Sequence, residues 1–136
     1  MEIKNYRTLI DGTPSGRVLW SDTPLSFWGG VDVSSGRILD VHHPLYGETV
    51  SGKILCIPFD RGSCSGSGVM LEMLRQRTNP IGILCIEAEP VLALGSVIGR
   101  KLYGRWIAIR TVPADDYYRL SESGSISFLE DGIRAE

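Results

Sequence analysis

The stretch Arg61-Gly62-Ser63-Cys64-Ser65-Gly66-Ser67-Gly68 gathers three hydroxyls, a thiol and a guanidinium within eight positions of a 136-residue chain. It lies between the apolar run Ile54-Leu55-Cys56-Ile57 and an amphipathic segment, so the order is strand, polar turn, helix. Such a turn puts unpaired backbone N–H groups at the positive end of a helix dipole, a receptor for a carboxylate, a phosphate or an oxyanion. Its simplest use is capping, by Ser65 or Ser67.

Known catalytic loops match this stretch unevenly. A phosphate-binding P-loop needs a lysine that is missing here, and glycines at 62, 66 and 68 break the dinucleotide fingerprint. Gly62-Ser63-Cys64-Ser65-Gly66 fits a nucleophile elbow with cysteine in the serine position, where the helix dipole favours thiolate. His42 or His43 would then serve as base, and the sequence fixes no acid to orient it. Cys56 and Cys85 sit in apolar runs as small buried hydrophobes, and no Cys-x-x-Cys pair exists. The two histidines precede Pro44 without a third ligand, which points to a structural or solvent-facing role, and the chain is expected to hold no metal of its own. The loop Phe27-Trp28-Gly29-Gly30 has two readings, a hydrophobic plug or an edge that meets a partner.

The elements that must position these residues follow from the apolar pattern. Leu9-Ile10 and Val18-Leu19-Trp20 flank a Gly/Pro turn and predict an opening β meander, and Gly36–Asp40 reads as a short strand. Residues 53–58 form a buried strand, residues 68–77 a helix with its apolar face at spacings of three and four, and residues 81–86 a second buried strand. That strand, helix, strand unit places the serine turn at the carboxyl end of its first strand, where open α/β sheets bind ligands. A second helix is expected over residues 90–98, weakened by Gly95 and ending near Gly99, and a last strand over residues 106–112. Beyond about residue 115 the chain turns polar and Ser-rich, and a loosely held tail is expected apart from a docking segment at residues 126–129.

With 43% hydrophobic and 22% charged residues and a net charge of −2, the composition is that of one globular domain over residues 1–136. No run approaches the roughly 18 apolar residues of a membrane span, and no basic patch offers itself to nucleic acid. The N-terminus lacks a signal-peptide pattern, so a cytoplasmic location with reduced cysteines is expected.

Three segments taken together, residues 24–32 (Pro-Leu-Ser-Phe-Trp-Gly-Gly-Val-Asp), His43-Pro44-Leu45-Tyr46-Gly47 and Arg61 to Ser67, closely resemble the small, swivel-domain subunit of the aconitase X family. The resemblance spans roughly residues 5–115. It implies an α/β fold, a swivelling β/β/α domain with a mixed β-sheet or barrel and two main helices. It also implies a large-subunit partner that carries the iron or iron–sulfur centre, none being bound by this chain alone. By that likeness Ser63 is the base of a dehydration, and Arg61, Gly62, Cys64, Ser65, Gly66 and Ser67 line the substrate. Phe27, Trp28, Gly29, Gly30 and His43 belong to the cleft or the partner interface. Within the family the chain looks more like cis-3-hydroxy-L-proline dehydratase, giving Δ1-pyrroline-2-carboxylate, than the mevalonate 5-phosphate enzyme. Cys64 is the residue that suggests so. Without its partner the domain is expected to be inactive and able to form homo-oligomers. A non-catalytic anion-binding module and a Cys64 hydrolase are the alternatives from other classes.

Overall fold

The structure, a computed structural model, describes residues 1–60 and 64–136, with Cys64 and Ser65 described by their backbone. In chain order the elements are β1 (Glu2–Ile3), β2 (Arg7–Ile10), β3 (Ser15–Trp20), β4 (Ile54–Cys56), α1 (Cys64–Gln76) and β5 (Gly82–Cys85), then α2 (Pro90–Tyr103), β6 (Ala108–Thr111), α3 (Ala114–Arg119), β7 (Ser125–Leu129) and β8 (Gly132–Ala135). The strands join in one curled mixed sheet of order β1-β8-β7-β3-β4-β5-β6-β2. β3, β4, β5 and β6 run parallel, and antiparallel strands flank them on both sides.

Both faces of the central strands β4 and β5 are covered, which is why these two read as unbroken apolar runs. Leu55, Ile57, Ile83, Cys85, Ile107 and Ile109 pack under α1 and α2 with Met70, Met73, Leu74 and Leu92. Ile54, Cys56, Leu84 and Ala108 point the other way, into a second cluster with Tyr117, Ile126, Phe128 and Ile133.

The second helix runs five residues past its expected end, to Tyr103, and stops where Gly104 takes a left-handed backbone, φ 67°. Gly95 and Gly99 are there for packing. A Cβ on Gly95 would lie 2.9 Å from the Ser67 carbonyl oxygen, and one on Gly99 would lie 2.3 Å from Leu74 Cδ1. Close approach to α1 therefore outweighs the helix propensity lost at both positions.

Three expectations are corrected. The opening strands exist but form no meander. β2 lies at the sheet edge beside β6, while β3 lies between β7 and β4, because the connection crosses β6 with Gly12 tight against Ala108. The strand expected at Gly36–Asp40 is reduced to isolated bridges, Val31 to Ile38 and Arg37 to Thr49. The tail beyond about 115 is not loose. It forms α3, β7 and β8, and buries Tyr117, Ile126, Phe128 and Ile133 almost completely. Of its four serines, Ser121 and Ser123 precede β7, and Ser125 and Ser127 face outward from it while Ile126 and Phe128 alternate inward. No helix among the described residues is long and apolar enough to cross a membrane.

Candidate functional site

Past β4 the chain continues through the buried Ile57 and Pro58 to Asp60, which bridges in parallel to Leu25. That bridge lays the aromatic loop of residues 24–32 along the backbone leading into the serine turn. The Asp60 carboxylate, 7% exposed, accepts the backbone N–H of Glu89 at 3.2 Å and so ties this backbone to the start of α2. The beginnings of both long helices and the carboxyl ends of β4 and β5 thus meet on one edge. Sequence reasoning missed Asp60, whose only signal was a carboxylate next to the Gly/Ser-rich turn.

Arg61, Gly62 and Ser63 lie outside the described residues, as do the side chains of Cys64 and Ser65. The backbone of Cys64, Ser65, Gly66 and Ser67 forms the start of α1, four residues earlier than the amphipathic pattern alone predicts. Their amides therefore belong to the first turn, which has no intrahelical acceptor for its N–H groups. No acidic residue stands in that turn to neutralise the dipole. At Gly66 and Gly68 a Cβ would meet no described atom within 4 Å, so internal packing does not account for these two glycines. The arrangement suits an approaching anion.

The aromatic pair divides between its two readings. Phe27 is 3% exposed and belongs to the core under α1 and α2, whereas Trp28 is 63% exposed. Gly29 has φ 76°, and a Cβ on Gly30 would fall 2.0 Å from the Ser26 carbonyl oxygen, so this bend excludes larger residues at both positions. Trp28 lines an open groove of about 410 Å³ with Leu39 and Val41, both of them exposed. Neither Leu39 nor Val41 stood out in the sequence, because their strand-like neighbours suggested burial.

His43 is no cleft residue. It is buried at 4% exposure, and both ring nitrogens are used inside the fold. The Leu45 N–H donates to Nδ1 at 3.0 Å, which leaves Nε2 carrying the hydrogen that it donates to the Thr23 carbonyl at 3.1 Å. A ring held in that tautomer at both ends is not poised as the base of a Cys64 elbow. His42 is exposed, with its backbone N–H on Asp40 Oδ1 at 2.9 Å.

The described thiols do not fit a metal cluster. Cys56 and Cys85 are fully buried on opposite faces of the sheet, and burial pushes both thiols up, away from the thiolate that binds metal. Among the described residues no group of three or more His, Cys, Asp or Glu side chains converges. In the native protein a disulfide-exchange reagent is expected to label both buried cysteines at least about a hundredfold more slowly than in the unfolded chain. Fast labelling of either one would contradict this packing.

Comparison with known proteins agrees with this geometry. The family described as the aconitase X swivel domain matches residues 3–133. The chain is 47% identical over 103 residues to a cis-3-hydroxy-L-proline dehydratase of Pseudomonas aeruginosa, covering 76% of this chain and 18% of that protein. It is 45% identical over 98 residues to a phosphomevalonate dehydratase small subunit of Methanothermobacter thermautotrophicus, covering 72% of this chain and 74% of that one. The crystal structure of holo aconitase X from Thermococcus kodakaraensis superposes with a TM-score of 0.82 at 26% identity, covering 100% of this chain and 98% of the other. The chain spans less than a fifth of the two hydroxyproline dehydratases that it matches, 18% and 19% of their lengths. With its mixed sheet and its two long helices, α1 beginning shortly after the carboxyl end of β4, the chain belongs to the aconitase X swivel-domain family.

Proposed function

We propose that this chain is the swivel module of a hydro-lyase, working in the cytoplasm against a larger catalytic unit that holds the iron or iron–sulfur group. Its reaction is the dehydration of cis-3-hydroxy-L-proline to Δ1-pyrroline-2-carboxylate. The observation that carries the reading is the start of α1, whose first turn holds no acidic residue and which follows a backbone bridged by Leu25 of the aromatic loop at Asp60.

Removing water from a hydroxy acid requires a base at the carbon next to the carboxylate. Ser63 is that base in this proposal. The first-turn amides of α1 and the Arg61 guanidinium favour its alkoxide. Ser65 and Ser67 line the same loop. In this proposal the Lewis acid on the leaving hydroxyl is supplied by the partner unit.

The test adds the chain to its catalytic unit with cis-3-hydroxy-L-proline and, separately, with mevalonate 5-phosphate. Turnover of the first by the mixture, and by neither component alone, is expected. Turnover of mevalonate 5-phosphate instead would keep the swivel role and change the substrate, a reading favoured by the 45% identity to a phosphomevalonate dehydratase small subunit. No turnover by any mixture would leave the anion-binding module.

The Trp28 edge is where we place the partner. Trp28→Asp is expected to weaken assembly by at least about thirtyfold, a loss of about 2 kcal/mol, and to dissolve any self-association of the isolated chain. Sedimentation of the two components reads this directly. Unchanged affinity would remove Trp28 from the interface.

A further inference from the structure

The parallel strands β5 and β6 end on the same edge as β4, and β2 starts there in the opposite direction, with Arg7 paired to Thr111. Between the start of β2 and the ends of β5 and β6 lies a cleft with two lobes, of about 250 and 320 Å³, which share Arg7, Ile86, Glu87 and Thr111 in their walls. Val112 and Pro113 add apolar surface to the first lobe. The cleft adjoins the start of α2, where Asp60 holds the N–H of Glu89, two residues beyond Glu87. Carboxyl ends of parallel strands are where sheets of this class receive ligands.

Some exposed charges of the molecule are paired, as Arg75 is with Glu72 and Arg100 with Asp11, and others, such as Arg17, Arg77, Lys101 and Glu122, form no hydrogen bond or ion pair among the described residues. What sets this cleft apart is that its walls carry one charge of each sign. Arg7 and Glu87 line the same two lobes, yet among the described residues neither side chain forms a hydrogen bond or an ion pair. A cation and an anion that face one cleft without meeting fit a ligand that carries both charges itself. Arg7 offers its planar fork to a carboxylate, Glu87 accepts from an ammonium, and Ile86, Val112 and Pro113 cover a small ring. A phosphorylated hydroxy acid, anionic at both ends, would meet Glu87 as a like charge.

We propose that this cleft binds the zwitterionic head of a small α-amino acid. That the amino acid is the substrate rests on the proposed hydroxyproline function; the binding itself does not.

The test is an amide-shift titration of the full chain, labelled with nitrogen-15, against four probes: cis-3-hydroxy-L-proline, L-proline, cyclopentanecarboxylate and pyrrolidine. The two amino acids are expected to shift the amides of Tyr6, Arg7, Glu87 and Thr111, and the single-charge analogues to need at least about tenfold higher concentrations. Arg7→Gln should abolish binding of both amino acids, and Glu87→Gln should bring L-proline down to the level of cyclopentanecarboxylate. Both side chains are unpaired, and the same spectra report whether the variants keep the fold. Absence of shifts in the cleft at saturating amino acid, or a preference for L-proline that survives Glu87→Gln, overturns the proposal. Failure of the hydroxyproline function shows itself elsewhere, as a lack of turnover by the assembled enzyme. If that turnover occurs, Glu87→Gln should raise KM about tenfold and leave kcat unchanged, whereas an unchanged KM would remove the cleft from the substrate's path.

Discussion

Arg110→Met is expected to lower the melting temperature by about 10 °C, the largest stability loss from any single exposed or buried cation in this fold. Arg110 lies on β6 and is only 4% exposed. Its guanidinium sits 4.6 Å from the ring centre of Tyr6 and 4.9 Å from that of Phe128. Nη1 donates to the Gly132 carbonyl at 2.7 Å, and Nη2 to the Leu129 carbonyl at 2.6 Å. No carboxylate pairs with it among the described residues, and burial pulls its pKa down from the usual arginine range. The charge is balanced instead by carbonyl dipoles and two ring faces. Methionine keeps the apolar stem but leaves two carbonyls without their charged donor, at about 1–3 kcal/mol each. With part of that loss offset by methionine packing, about 3 kcal/mol remains, which gives the stated shift for a chain of this size. Arg110→Lys should fall between parent and Met, because an ammonium cannot reach both carbonyls with a planar fork. A melting point within about 2 °C of the parent for the Met variant would show that the hairpin of β7 and β8 is held without this bridge.

The hairpin that Arg110 holds is also the part of the fold least legible in the sequence. Residues 53–87 could be read because a strand covered on both faces is a plain apolar run, and because Met70, Met73 and Leu74 recur at helical spacing. The C-terminal strands carry the opposite signal. Two outward positions of β7 are serines, β8 turns Arg134 outward, and both strands also pair with partners remote in sequence, as when Arg134 pairs with Glu2. A short alternating segment gains its stability from such pairings, which local pattern does not reveal.

Two adjacent residues show the same limit at the candidate site. Phe27 and Trp28 are indistinguishable as apolar side chains, yet the bend enforced at Gly29 and Gly30 leaves one in the core and the other in solvent. For His43 the sequence left a structural and a solvent-facing role open, because nothing in it marks Thr23 and Leu45 as the partners that hold the ring inside the fold. The start of α1 was legible only in part: chain order places Cys64 to Ser67 between two strongly patterned elements, but their polar character hid that they already form the helix's first turn.

Ser63→Ala should lower kcat of the assembled enzyme by about 10²–10⁴ while assembly and KM stay unchanged, the range typical of losing a general base. The size of the helix effect decides what else must be true. A helix N-terminus is worth about 0.3–1 kcal/mol at an exposed site and about 2 kcal/mol at best, roughly one pKa unit. That is far short of making an alkoxide accessible at neutral pH. The remainder has to come from the Arg61 charge acting in a space from which water has been expelled. Arg61→Gln is therefore expected to impair turnover, and Cys64→Ala to do so only modestly. Closure of the swivel module over its partner becomes a condition for the base to exist, and this separates two variants that both lower the measured rate. Excess catalytic unit should restore kcat for Trp28→Asp, whose defect lies in docking, and should not restore it for Ser63→Ala. Full turnover by the Ser63→Ala complex would dismiss Ser63 as the base. If turnover were then lost with Cys64→Ala, the reacting atom would be the thiol.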